Sequence, residues 1–331
     1  MKRLMLKTLA AAVAISAFGA AFAQEKTIKF TTQNPKGHPL VMGMEKFAEI
    51  VQAKSGGKIK VNLFPGGVLG GDAPVVSALQ GGTIEMASMN SGILASQVKD
   101  FEVYDFPFMF ASSKEADAVV DGPFGKKMHA KLEPKGLVGL TYWELGFRQI
   151  TNSKRPINKV EDAEGLKLRV IPNAINVDWV KALGANPTPL AFPEVYAALE
   201  QKAIDGQENP LTVIAANKFF EVQKYATLTN HQYNPQSVLI SKKFWDTLSA
   251  DDKKIISDAA VESTAYQRQQ ARAQAGTALD TVKKGGMQVN ELAPAELAKF
   301  REKMKPVVDK HGAAIAETVK ELQAELAKAR Q

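Results

Sequence analysis

Residues 249–286 read SADDKKIISDAAVESTAYQRQQARAQAGTALDTVKKGG. Ser249 can cap a helix, Asp251 and Asp252 fall in its first turn, Lys283 and Lys284 in its last, and Gly285 and Gly286 stop it. Each charge then sits at the helix end whose dipole favours it. About 35 residues at about 1.5 Å each reach about 50 Å, longer than one small lobe needs. The stretch therefore predicts a helix laid across two lobes. The alternative is two helices broken near Gly276; a kink there would still leave a shared backbone element.

The rest of the chain supplies two lobes. KTIKFTTQ (26–33) reads as a strand, and LVMGMEKFAEIVQAKSGG (40–57) as a helix with Met44, Phe47, Ala48 and Val51 on one face. KIKVNLF (58–64) is a second strand, DAPVVSALQGG (72–82) a short helix with Asp72 as N-cap, and TIEMASM (83–89) a third strand. A second series follows: RQITNSKRPI (148–157) and LKLRVI (166–171) as strands, then helices at 173–185, at 192–204 with Phe192 ahead of Pro193, and at 211–222. SVLISKKFWDTL (237–248) returns to strand and then helix. Strands alternating with helices imply an α/β fold with mixed sheets, and two series separated by the turn-rich residues 152–165 imply two lobes with a cleft between them. The C-terminal segment 313–330 places Ile315, Val319, Leu322 and Leu326 at helical spacing, too few heptads for a coiled coil, so it reads as a packing helix.

The first 23 residues have the layout of a secretory signal peptide: Lys2, Arg3 and Lys7 precede an apolar run, and Ala21-Phe22-Ala23 offers a cleavage site. Export to the periplasm is expected, with cleavage after Ala23. The net charge of +7 includes those three cations. The remainder is only mildly basic and has no basic cluster interleaved with aromatics, which argues against nucleic acid as a partner. There is no cysteine, so disulfides, thiolate nucleophiles and zinc–thiolate sites are excluded together. G-x-S-x-G, H-E-x-x-H, a Walker A loop and a dinucleotide fingerprint are all absent, and PGGVLGGD (65–72) lacks the phosphate-loop lysine. His38, His129, His231 and His311 are far apart in sequence and read as ordinary polar residues. No metal and no cofactor is implied.

In GLKLRVIPN (165–173), Leu166, Leu168 and Val170 share one face of the strand, and Lys167 and Arg169 the other. Arg169 is either a solvated arginine or a cation aimed at a ligand; alternation does not separate the two. Its position at a strand's carboxyl end, immediately before the turn at Pro172, is where ligands of open α/β sheets sit.

GFRQITNSKRPI (146–157), GLKLRVIPNA (165–174), LGANPTPLAFPEVYAALEQKAIDGQENP (183–210) and, less specifically, FPFMF (106–110) and VNLFPGGVLGGD (61–72) resemble the solute receptors of TRAP transporters, the DctP-like family. The resemblance spans nearly the whole chain after the leader. It implies a two-lobed periplasmic binding protein fold with crossing strands, a hinge and a long helix spanning both lobes, and no enzymatic activity. The lobes would comprise residues 24–147 plus 235–275, and 148–234 plus 276–331. It implies that Arg169 pairs two-pronged with a solute carboxylate, that Arg148 and Asn209 are further polar contacts, and that Phe192 closes over the ligand. Gln33, Asn90 and His38 would line the cleft from the first lobe. Asn90 stands where sialic-acid receptors carry a glutamate, which disfavours sialic acid. The implied partners are a small organic acid and the membrane permease subunits, with a monomer expected and a dimer through the long helix the alternative. For Arg148 a salt bridge with a neighbour such as Glu144 stays open, for Asn209 a plain turn role before Pro210, and for Phe192 and Trp143 a core role. Glu144, if near the cleft, would favour a hydroxylated monocarboxylate over a dicarboxylate. The rival reading is a periplasmic enzyme acting on an acidic sugar, which would need a base beside Arg169.

Overall fold

The computed structural model describes residues 26–331; the expected leader and cleavage after Ala23 lie outside the described residues. Among the described residues, nine strands form one mixed sheet: β1 (Lys26–Thr32), β2 (Ile59–Phe64), β3 (Met86–Asn90), β4 (Leu137–Asn152), β5 (Lys167–Val170), β6 (Asn186–Pro189), β7 (Gly206–Asn209), β8 (Tyr225–Ser241) and β9 (Gln288–Glu291). Their order is β2-β1-β3-β8-β4-β7-β5-β6, with β9 beside the start of β8. The strands β1, β2 and β3 are parallel, as are β5, β6 and β7. Between these two sets run β4 and β8, long and antiparallel, whose register shifts at three bulges. One bulge falls at Gly146, whose φ of 110° a side chain would oppose. The two parallel sets thus stay separate half-sheets joined by two long crossing strands.

Helices cover both faces of each half: α1 (Pro39–Lys54), α2 (Asp72–Gly81), α3 (Ser113–Asp121), α4 (Pro123–Ala130), α5 (Ala174–Ala182), α6 (Val195–Glu200), α7 (Leu211–Ala216), α8 (Lys242–Trp245), α9 (Ala250–Lys284), α10 (Pro294–Ala313) and α11 (Ala316–Ala329). The helix expected at 250–284 is continuous through Gly276, capped by Ser249 Oγ accepting from the Asp252 amide at 3.1 Å. Its Ile256, Ala259 and Ala260 pack with Phe30, Phe47 and Trp143 on the first half. Its Val282 packs with Val195, Ile214 and Phe219 on the second. Helix α9 therefore belongs to both cores.

Several local expectations change. Asp72 does not cap α2; it is the first helical residue, Gly71 is the N-cap without a side-chain bond, and Asp72 lines a cavity. The helix expected at 211–222 stops at Ala216 and continues as a 3-10 turn, with Lys218 at a φ of 54°. The strand read from Arg148 begins at Leu137 and ends at Asn152, whose Oδ1 accepts from the amides of Lys154 and Arg155 and turns the chain. Helix α11 places Ile315, Leu322 and Leu326 in the first-half core beside Phe101 and Val119, although its segment was expected with the second lobe. Helix α10 packs its Phe300 and Met304 on the second half.

Candidate functional site

The carboxyl ends of β1, β3, β5 and β7 converge on one small cavity. Parallel strands present their carboxyl ends on one side, and the crossing strands bring the two sets face to face. Gln33 and Asn90 line the cavity from the first half, and Arg169, Phe192 and Asn209 from the second. Arg148 reaches it from β4. The glycine run 66–71 lets the two walls meet. A Cβ on Gly67, at a φ of 68°, would stand 2.7 Å from Gln33 Oε1 and 3.0 Å from Pro193 Cγ.

The two arginines are buried alike and differ in what they touch. Arg148 Nε and Nη2 donate to the Glu208 carboxylate, the latter at 2.8 Å; Nη2 also donates to the Glu208 carbonyl, and Nη1 to Asn234 Oδ1 at 2.8 Å. Its partner is therefore Glu208 on β7, not Glu144, which pairs with Arg272 of α9 at 2.8 Å and lies outside the cavity lining. Burial pushes Glu208 up, but the Arg148 charge and a His231 hydrogen bond overcome it and hold the carboxyl at about 2. Arg169 makes a single protein hydrogen bond, Nε to the Leu190 carbonyl at 2.9 Å. Its Nη1 is buried without a partner, and among the described residues it makes no ion pair. Burial lowers it to about 10, still protonated at neutral pH. Phe192 lies 5.8 Å from the guanidinium and 6.1 Å from Phe219. Arg148 is thus paired within the protein, whereas Arg169 keeps a guanidinium nitrogen without a protein partner.

Behind Arg148 runs a buried polar network. Asp105 Oδ1 accepts from Asn234 at 3.1 Å; its Oδ2 accepts from Asn176 at 3.1 Å and from Asn173, the N-cap of α5. Burial raises Asp105 to about 6, and the Asn173 bond opposes the shift.

The fold places His38, expected in the cleft, elsewhere, and takes the core alternative left open for Trp143. His38 caps α1, its Nδ1 accepting from the Leu40 amide at 3.2 Å; it is outside the cavity lining, and burial lowers it to about 3. Trp143 packs against Phe30 in the core, with ring centroids 5.8 Å apart. Conversely, Asp72, Ser88 and Gln236 line the cavity without having been singled out as site residues. Burial raises Asp72 to about 6 against the pull of the Arg169 charge and a Gln33 hydrogen bond. Its place at the start of a helix after a glycine run was the only signal available.

A family model described as bacterial extracellular solute-binding protein, family 7, matches residues 30–314. The chain belongs to this family. Two solved structures and one curated relative show how closely this family 7 member fits. A TRAP periplasmic solute-binding protein from Ochrobactrum anthropi is 56% identical, with a TM-score of 0.82 over 93% of this chain and 97% of that one. A sugar acid binding protein from Advenella mimigardefordensis, solved with galactonate, is 43% identical, with a TM-score of 0.91 over 92% and 99%. A C4-dicarboxylate-binding periplasmic protein of Rhodobacter capsulatus is 35% identical over 302 residues, 90% of each chain. Family 7 proteins are solute receptors, and the α/β fold with crossing strands and a shared long helix is theirs.

Proposed function

We propose that this protein is the receptor subunit of a TRAP transporter, exported by its leader and cleaved after Ala23, which captures a small organic acid and delivers it to a membrane permease. The solute classes considered are those of its relatives: sugar acids, hydroxy acids and dicarboxylates. The observation that carries the reading is Arg169, buried to 2% exposure with its Nη1 lacking any hydrogen-bond partner. A buried unpaired cation is costly, and a carboxylate that matches its planar fork removes the cost. Asn209, Phe192, Gln33 and Asn90 supply further contacts. Arg148 acts differently in this reading: it positions β7 through Glu208.

Binding in the micromolar range needs about 8 kcal/mol, and two charge-assisted hydrogen bonds contribute about 3 to 6 kcal/mol. The remainder comes from contacts made when the lobes close, a population shift driven by a ligand that touches both. We place residues 316–331 with the first lobe, because α11 packs there. A thermal-shift screen of the exported protein against organic acids, followed by calorimetry, tests the proposal. At least one acid should raise the melting temperature by several degrees and bind at micromolar concentration or below. If no acid does so at millimolar concentration, the reading is wrong.

A further inference from the structure

Among the described residues, six buried side-chain atoms without a hydrogen-bond partner belong to residues lining this one cavity: Thr32 Oγ1, Gln33 Oε1, Asn34 Oδ1, Ser88 Oγ, Arg169 Nη1 and Gln236 Nε2. Buried polar groups are normally satisfied, so such a concentration marks where a polar ligand makes its bonds. Their chemistry is uneven. Arg169 is a cationic donor and Gln236 Nε2 a neutral one. Gln33 Oε1 and Asn34 Oδ1 can only accept; the orientation of Gln33 is set by its Nε2, which donates to the Gly70 carbonyl at 3.0 Å. The carboxylate of Asp72 adds further acceptors to the lining. The two hydroxyls, Thr32 and Ser88, serve either way.

A carboxylate of the ligand has no proton to give. One such group is well placed on Arg169. A second, set against Gln33 Oε1, Asn34 Oδ1 and Asp72, would meet only acceptors, leave the two amide oxygens unsatisfied and face a like charge. Its charge would also go uncompensated, because Arg148 is already neutralised by Glu208. Hydroxyls have the opposite fit: each can donate to one of these oxygens, and each can accept from a donor such as Gln236 Nε2. Building on the receptor reading above, we propose that the solute is a polyhydroxylated monocarboxylate, an acid of the aldonate or uronate type, and that Asp72 is the residue that turns dicarboxylates away.

Calorimetry at pH 7.5, where Asp72 is ionised, tests this with a panel of four- to six-carbon aldonates and uronates, succinate as the dicarboxylate, and butyrate as the acid without hydroxyls. The best hydroxylated acid should bind at least 100-fold tighter than succinate or butyrate. Asp72→Asn should narrow the gap between that acid and succinate at least tenfold. Succinate or butyrate binding wild type within tenfold of the best hydroxylated acid, and weakened by Arg169→Lys, would overturn the solute class and leave the receptor reading standing. Binding of no acid at all would remove both. The wild-type panel decides the class even if Asp72→Asn folds poorly.

Discussion

Arg169→Lys is the sharpest perturbation of the site because it keeps the charge and removes the fork. In the folded protein Arg169 uses Nε on the Leu190 carbonyl and leaves Nη1 free, so a solute carboxylate can take two parallel bonds from the outer edge. A lysine ammonium supplies one such bond as a point charge on a flexible stem. Losing one charge-assisted bond costs about 1.5 to 3 kcal/mol, a weakening of roughly ten- to 150-fold. The contact between Phe192 and the guanidinium plane, at 5.8 Å, is lost as well and pushes the effect towards the upper end. Without ligand the substitution removes the charged hydrogen bond to Leu190 and the Phe192 contact, together about 2 to 4 kcal/mol, so the ligand-free melting temperature should fall by less than about ten degrees. Calorimetry on the best solute, with melting curves of both proteins with and without it, measures the two quantities separately. A variant that binds within threefold of wild type would refute the clamp. A variant that loses ten degrees without ligand would show that Arg169 serves the fold instead.

Two other perturbations test the frame around the site. Glu208 is held at about 2 in the folded protein against 4.5 for a free glutamate, so its stabilising contribution is full above about pH 4.5 and is lost as pH falls towards about 2. Glu208→Gln leaves Arg148 buried without its counter-ion, should cost about 3 to 5 kcal/mol at pH 7, and should flatten this acid limb. Denaturant melts at pH 7, 4 and 3 that run parallel for the two proteins would contradict the pairing. Gly276→Ala tests the continuity of α9, since a Cβ there meets nothing within 4 Å. A helix-interior alanine gains about 1 kcal/mol over glycine, so the variant should melt about 2 °C higher with unchanged solute affinity. A lower melting point would mean the helix is bent or broken there.

Where the sequence misread the chain, the reasons are specific. The strand β8 was read only from Ser237, because residues 225–236 mix threonine, asparagine, glutamine, histidine and Pro235 with no alternation. A central strand enclosed on both faces has no polar side to show, and its polar residues are satisfied by a buried network instead: Asn234 by Asp105 and Arg148, His231 by Glu208. The same enclosure hid the first half of β4. Helix α10 was not read at all, since Pro306 argues against a helix; the structure runs through it at an exposed position, held by Phe300 and Met304 on the second-half core.

The sequence alone was sufficient for whatever depends on near neighbours along the chain. The caps and end charges of α9 lie within one turn of its termini, and so its length and its reach across two lobes could be read directly. The α/β class followed from alternating short elements; strand and turn put Arg169 where a ligand could sit, and its role was implied by the family resemblance. Which arginine is free was a different kind of question. Glu208 lies 60 residues from Arg148, and Asp72 lies almost 100 before Arg169. No spacing rule connects those positions. Only the crossing of β4 and β8 brings the carboxyl ends of both half-sheets together, neutralises one buried cation, leaves the other open, and sets an acceptor-rich wall in the same cavity. Electrostatics at a buried site depends on distance through space, and that distance is a property of the fold.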